Sequence, residues 1–85
     1  MKTEVKTKGA EDFISLEEIV VTEEFLNSCP NPGKIQRVVD YLKRTGCLDE
    51  PITIKRDTKI LTDGYTRYIV AKKVKMDLIP VAYEK

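Results

Sequence analysis

Between Asn31 and Gly46 the chain carries a complete specification for one helix, and that helix constrains everything else. Asn31 is a capping residue placed directly before Pro32, and proline is favoured at the first helical position because the amide it lacks would be unpaired there anyway. Ile35, Val38, Val39 and Leu42 then recur at i, i+3, i+4 and i+7, so a single apolar stripe runs down one side. Lys43 and Arg44 occupy the last turn, where cations complement the dipole, and Gly46 supplies the left-handed stop. A helix with one narrow apolar stripe must lay it on another layer. The remaining segments supply a sheet.

Phe13-Ile14-Ser15-Leu16 reads as a first short strand, and Thr22 caps a helical turn through Glu23, Glu24, Phe25 and Leu26. Asn27 to Gly33 is the densest turn signal in the sequence. After the main helix, Pro51-Ile52-Thr53-Ile54-Lys55 is β-branched and alternating, Arg56-Asp57-Thr58 turns, and Lys59-Ile60-Leu61-Thr62 returns as a hairpin partner. Asp63-Gly64 breaks that strand. Tyr65 to Lys75 forms a second main helix with a broad apolar face, and Leu78 to Tyr83 is a last strand whose Pro80 places it at an edge or a strand start. An edge there would also permit pairing with another chain, leaving the oligomeric state open. The expected architecture is α+β: a small mixed sheet of about four strands covered by two main helices. Residues 1–11 read as a flexible polar tail, and 12–85 as a single domain without repeats or linkers.

Composition removes whole classes of chemistry. Among 85 residues there is no histidine, which excludes Ser-His-Asp and Cys-His catalysis and His-ligated zinc. What remains is backbone amides, hydroxyls, carboxylates and Lys/Arg, a vocabulary suited to anions. Cys29 and Cys47 lie 18 positions apart with no CxxC pairing, and no secretory segment precedes them. They read as reduced thiols of a cytoplasmic protein. No apolar run approaches the ~20 residues that span a bilayer, so no membrane contact is expected. The net charge of +1 conceals an asymmetry: residues 1–50 carry 7 basic and 10 acidic groups, and residues 51–85 carry 8 basic and 4 acidic ones.

Chemistry concentrates where the strand ending at Asp63-Gly64 runs into a helix. First-turn amides have no intrahelical partner and point outward at the positive end of the macrodipole. Gly64 lets backbone approach an anion closely, and Arg67, one turn in, can grip a phosphate or carboxylate bidentately. A purely structural alternative has Asp63 capping the helix and Arg67 pairing with a nearby carboxylate.

Pro51-Ile52-Thr53-Ile54, then Leu61-Thr62-Asp63-Gly64-Tyr65-Thr66-Arg67-Tyr68-Ile69-Val70-Ala71, then Ile79-Pro80-Val81 resembles the ParB/sulfiredoxin superfamily, often called the ParB-like nuclease domain. The helix exit Lys43-Arg44-Thr45-Gly46-Cys47-Leu48 matches the same pattern, and the resemblance covers roughly residues 12–83. It implies the fold just described. It also implies that Gly64 and Arg67 face the phosphates of a bound nucleotide, that Ala71 is a packing residue, and that Lys34, in the Pro30 to Lys34 loop, is a second cationic contact. Sulfiredoxins place a nucleophilic cysteine, then a histidine, after this glycine; here those positions are Tyr65 and Thr66. Free-serine kinases carry Asp-Gly-His-His-Arg, of which only Asp63, Gly64 and Arg67 match. Full-length ParB proteins continue into a second nucleotide motif and a helix-turn-helix; neither has a counterpart in residues 1–85, so self-sufficient CTP hydrolysis and operator recognition are not expected of them.

Three functional readings follow. The first is a nucleotide- or phosphate-binding module with Gly64, Thr66 and Arg67 as cradle, Lys34 assisting, and Tyr65 at its mouth available to a base. The second is an enzyme, a nuclease or an Mg²⁺-dependent phosphotransferase, with Asp63 as metal ligand or base and Glu23 or Glu24 alongside. No resident cofactor is specified; Mg²⁺ would accompany a nucleotide. The third is an accessory that binds DNA or a partner protein through Lys55, Arg56, Lys59, Lys72, Lys73 and Lys75.

Overall fold

The computed structural model describes Thr7 and residues 9–85. In chain order the elements are β1 (Asp12–Ser15), α1 (Glu23–Leu26), α2 (Pro32–Thr45), β2 (Ile52–Ile54), β3 (Leu61–Asp63), α3 (Tyr65–Lys73) and β4 (Leu78–Tyr83), with a 3-10 turn at Leu16–Glu18 after β1. The sheet is mixed, in the order β1-β4-β2-β3. β1 pairs antiparallel with β4, β4 parallel with β2, and β2 antiparallel with β3. Cross-strand partners Ile14 and Ile79, Val81 and Ile52, and Ile54 and Leu61 are all buried and form the sheet side of the core. Val38 of α2 and Val70 and Ala71 of α3 close the core from the helical side.

The main helix forms as its caps dictate. The Asn31 side chain accepts from the amides of Gly33 and Lys34, and Gly46 sits left-handed at φ 83°. Thr22 likewise caps α1 through the amide of Phe25. β1 ends one residue earlier than expected because the Ser15 hydroxyl accepts from the Glu17 amide and turns the chain into the 3-10 segment.

Two expectations need correction. Pro80 lies in an interior strand, not at an edge: β4 is flanked by β1 and β2. The Val81 carbonyl accepts from Glu11 on the β1 side, so by alternation the Pro80 nitrogen faces β2. The first β2 partner is Ile52, opposite Val81, so the missing amide falls just before that ladder begins. The exposed edges are therefore β1 and β3, and β3 is partly covered by Val20, which bridges Ile60.

Within residues 1–11, read from sequence as a flexible polar tail, Thr7 contacts the domain. Thr7 is only 4% exposed, and its hydroxyl donates to the Leu48 carbonyl at 2.8 Å. Residues 1–6 and 8 lie outside the described part.

The second main helix ends at Lys73, not Lys75. The Met76 amide reaches the Ala71 carbonyl and the Lys75 amide reaches Lys72, a pair of bonds that closes the helix with Lys75 left-handed at φ 60°. Glycine usually occupies that position, because a side chain there crowds the backbone. Lys75→Gly is expected to raise stability by about 0.5–1 kcal/mol, read as a Tm increase of roughly 3–6 °C. A fall in Tm would show that the lysine side chain contributes more than its backbone strain removes.

Candidate functional site

At the junction of β3 and α3, Gly64 is the helix cap, left-handed at φ 91°, and makes no side-chain capping bond. Asp63 does not cap α3: its Oδ1 accepts from the neighbouring Gly64 amide at 2.9 Å. The Tyr68 amide takes the Gly64 carbonyl, and among the described residues no group accepts from the amides of Tyr65, Thr66 or Arg67. Packing also requires a glycine at this position. A Cβ on Gly64 would lie 3.0 Å from the Ile52 Cα, so the missing side chain accommodates close packing of the junction on β2.

α2 packs against α3 and brings its first turns to the same place. The result is a cleft of about 360 Å³, near the small end of ligand pockets. Lys34, Arg37 and Val38 of α2 line one part of it; Asp63, Gly64, Tyr65, Thr66 and Arg67 line the other. Phe25 and Asp49 complete it. Lys34, Asp63, Gly64, Tyr65, Thr66 and Arg67, all named from sequence, thus border one cavity.

Three cations and two carboxylates leave a charge of +1 in the lining. Their placement is more telling. Acidic side chains belong near helix N-termini, yet α2 has none in its first turn and carries Lys34 there, and α3 has none and carries Arg67. Each cation sits against the positive end of its own helix, an arrangement costing roughly 0.3–1 kcal/mol apiece. Such local conflicts mark places where something other than folding sets the residue.

Arg67 is held from the side. Its Nε donates to Asp49 Oδ1 at 2.9 Å and its Nη2 to Asp49 Oδ2 at 3.1 Å, with Glu50 3.9 Å away. The structural alternative for Arg67, an ion pair, is therefore present, and it fixes the guanidinium plane at the cleft wall. The hydrogen bond from Arg67 holds the Asp49 carboxyl below its ordinary value, partly opposed by burial; reciprocally, Asp49 raises Arg67. Because the folded Asp49 binds its proton less readily than the unfolded one, the pair's contribution is full above about pH 4 and is lost as pH falls through the folded value. With both groups reached by water, that contribution is about 1 kcal/mol. Urea titrations from pH 7 to pH 2.5 should show wild type and Asp49→Asn converging below pH 4. Asp12, lowered by the Tyr83 hydroxyl and the Phe13 amide, titrates in the same window in both proteins and cancels.

Other expectations fare unevenly. Glu23 and Glu24 stand in the first turn of α1 and do not line the cleft; its second carboxylate is Asp49. Among the described residues no three Asp, Glu or Cys side chains cluster as a metal site. Tyr65 is flanked by Phe25 at 5.1 Å and Tyr68 at 6.3 Å, so its ring belongs to an aromatic row. Ala71 is fully buried. Cys29 and Cys47 are both free thiols.

The six basic residues do not form one surface. Lys55, Arg56 and Lys59 lie in the β2–β3 turn, beyond the Ile54 position that pairs with Tyr83 at the end of β4. Lys72, Lys73 and Lys75 precede the start of β4 at Leu78. The strand between them is roughly 17 Å long. Arg56 is further occupied by stacking on Tyr83, 4.1 Å from the ring centre.

Sequence reasoning missed Arg37, Asp49 and Phe25. Arg37 was within reach, since it follows Lys34 at i+3 on the same helical face. Asp49 is 18 positions from its partner Arg67, and only the packing of α3 beside the α2 exit joins them.

Compared with solved structures, the chain superimposes on a pNOB8-like ParB N-domain with a TM-score of 0.70 at 22% identity over 85% of its length. It superimposes on sulfiredoxin from Arabidopsis thaliana with a TM-score of 0.71 at 21% identity over 87%. The fold is ParB/sulfiredoxin-like. The truncated chromosome-partitioning protein ParB from Caulobacter crescentus, complexed with CTP-gamma-S, matches over 87% of the chain with a TM-score of 0.64 and 14% identity. This chain spans 28% of the first of these structures, 83% of the sulfiredoxin and 43% of the Caulobacter ParB. No protein-family model matches the sequence, and no curated protein matches it. Among the described residues no helix is long and apolar enough to cross a membrane.

Proposed function

We propose that the chain is a ParB-like domain that binds a nucleotide or other phosphate-bearing ligand in the cleft between the first turns of α2 and α3. The observation that carries this reading is the convergence of Lys34, Arg37 and Arg67 on the unpartnered amides of Tyr65, Thr66 and Arg67. Each cation adds charge-assisted donors, and the amides add fixed positive dipoles that need no rearrangement. The phosphate would lie on those amides, with Arg67 offering the donors not engaged by Asp49 and Lys34 closing from the facing helix. Thr66 adds a hydroxyl in the same turn. Support for a nucleotide comes from the Caulobacter ParB, whose structure holds CTP-gamma-S on the same fold.

Asp63 stands at the cleft with one carboxylate oxygen free of backbone, so a phosphotransferase or nuclease would use it as base or metal ligand. The DNA reading is disfavoured by the division of the basic residues between two ends of β4. Calorimetric titration with CTP, ATP and inorganic phosphate, each with and without Mg²⁺, separates these readings. Phosphate-ligand binding predicts saturation by at least one ligand, weakening with salt. Absence of binding at millimolar concentrations of all three would overturn it. Turnover that needs Mg²⁺ and is lost in a folded Asp63→Asn variant would move the assignment to an enzyme.

A further inference from the structure

α3 has more apolar surface than the core uses. Val70 and Ala71 are its buried residues and Tyr65 and Tyr68 pack partly buried against the core, yet Ile69 lies on the opposite side of the helix from Val70 and Ala71. Ile69 is not among the side chains packed against the core, and neither is Leu26 of α1, which is 61% exposed. These residues, with Val21 and Tyr68, floor a groove of about 350 Å³ between α3 and the α1 segment. Lys72 and Lys73 form one end of it, and among the described residues neither has an acidic partner within salt-bridge distance. The groove is separate from the anion cleft, sharing only Tyr65.

We infer that this groove is a docking surface for a short acidic segment of a partner protein, one that presents apolar anchors beside Asp or Glu. Charge complementarity selects the occupant. Leu26 and Ile69, with Tyr65 and Tyr68 beside them, bury anchors spaced a turn apart. Lys72 and Lys73 attract the flanking carboxylates, steering the encounter and rejecting basic segments. A second copy of this chain fits less well, because the same face would set Lys72 and Lys73 against their own equivalents. A groove of this size buries less than a standard interface, so the contact is a transient one.

Panning a random peptide display library against the full chain tests the inference. Enriched peptides should be net acidic with two apolar residues a turn apart, and should shift the amides of Leu26, Ile69, Lys72 and Lys73. Both substituted residues in Leu26→Ser and Lys72→Glu are exposed, so these variants should fold. Leu26→Ser should weaken the best peptide at least fivefold, and Lys72→Glu/Lys73→Glu at least tenfold. Failure to enrich, enrichment of basic or neutral peptides, or binding unchanged in these variants would each overturn it. So would sedimentation showing a dimer that Leu26→Ser dissociates, which would assign the face to a second copy.

Discussion

Gly64→Ala should cost about 3 kcal/mol, a large share of the stability of a domain this size. Two effects add. The left-handed conformation at φ 91° disfavours any L side chain by about 1–2 kcal/mol. The new methyl would also meet the Ile52 Cα and Cγ2 at 3.0 Å, and a strand backbone held between β3 and β4 cannot give way as a flexible side chain would. Gly46→Ala is the natural control, because Gly46 has φ 83° but open space where its Cβ would be. It should cost about 1 kcal/mol. Urea unfolding of the three proteins decides: equal losses at the two glycines would mean that the junction does not sit tightly on β2. The comparison matters for function because that contact sets the height of the α3 first turn above the sheet, and with it the position of the three outward amides.

The second large effect concerns Arg67. Arg67→Ala should reduce affinity for a phosphate ligand about 30-fold, the loss of charge-assisted bonds worth roughly 1.5–3 kcal/mol. Stability should fall by only about 1 kcal/mol, since Asp49 is left accessible to water and not sealed in the core. Arg67→Lys should bind better than Arg67→Ala and worse than wild type, because lysine restores charge without the planar fork that grips Asp49 and ligand together. If all three proteins bind alike, Arg67 is a structural partner of Asp49 and nothing more.

Much of this was legible before any coordinates. The α2 helix announced both its ends, because Asn31-Pro32 and Gly46 act through neighbouring backbone and need no tertiary context. The β2–β3 hairpin and the strand-glycine-helix junction were readable for the same reason. Local chemistry says little about which strands become neighbours. Pro80 suggested an edge or a strand start, and it lies in an interior strand, one residue before the parallel ladder starts, where the missing amide does no harm. The broad apolar face of α3 was visible, but not that Val70 and Ala71 would be fully buried, Tyr65 and Tyr68 half-buried against the core, and Ile69 left out of it. In the cleft, sequence named the residues of one helix turn and Lys34. Arg37 could have been added by its i+3 spacing from Lys34, whereas Asp49 arrives through a contact 18 residues long that no periodicity encodes.

The most direct test of the central claim is a titration of ¹⁵N-labelled protein with inorganic phosphate and then CTP, following backbone amides. The account predicts saturable shifts concentrated at Tyr65, Thr66 and Arg67, with smaller ones at Lys34 and Arg37, all suppressed in Arg67→Ala. Shifts that never saturate, or that concentrate at the β2–β3 turn and leave the α3 first turn unmoved, would contradict it.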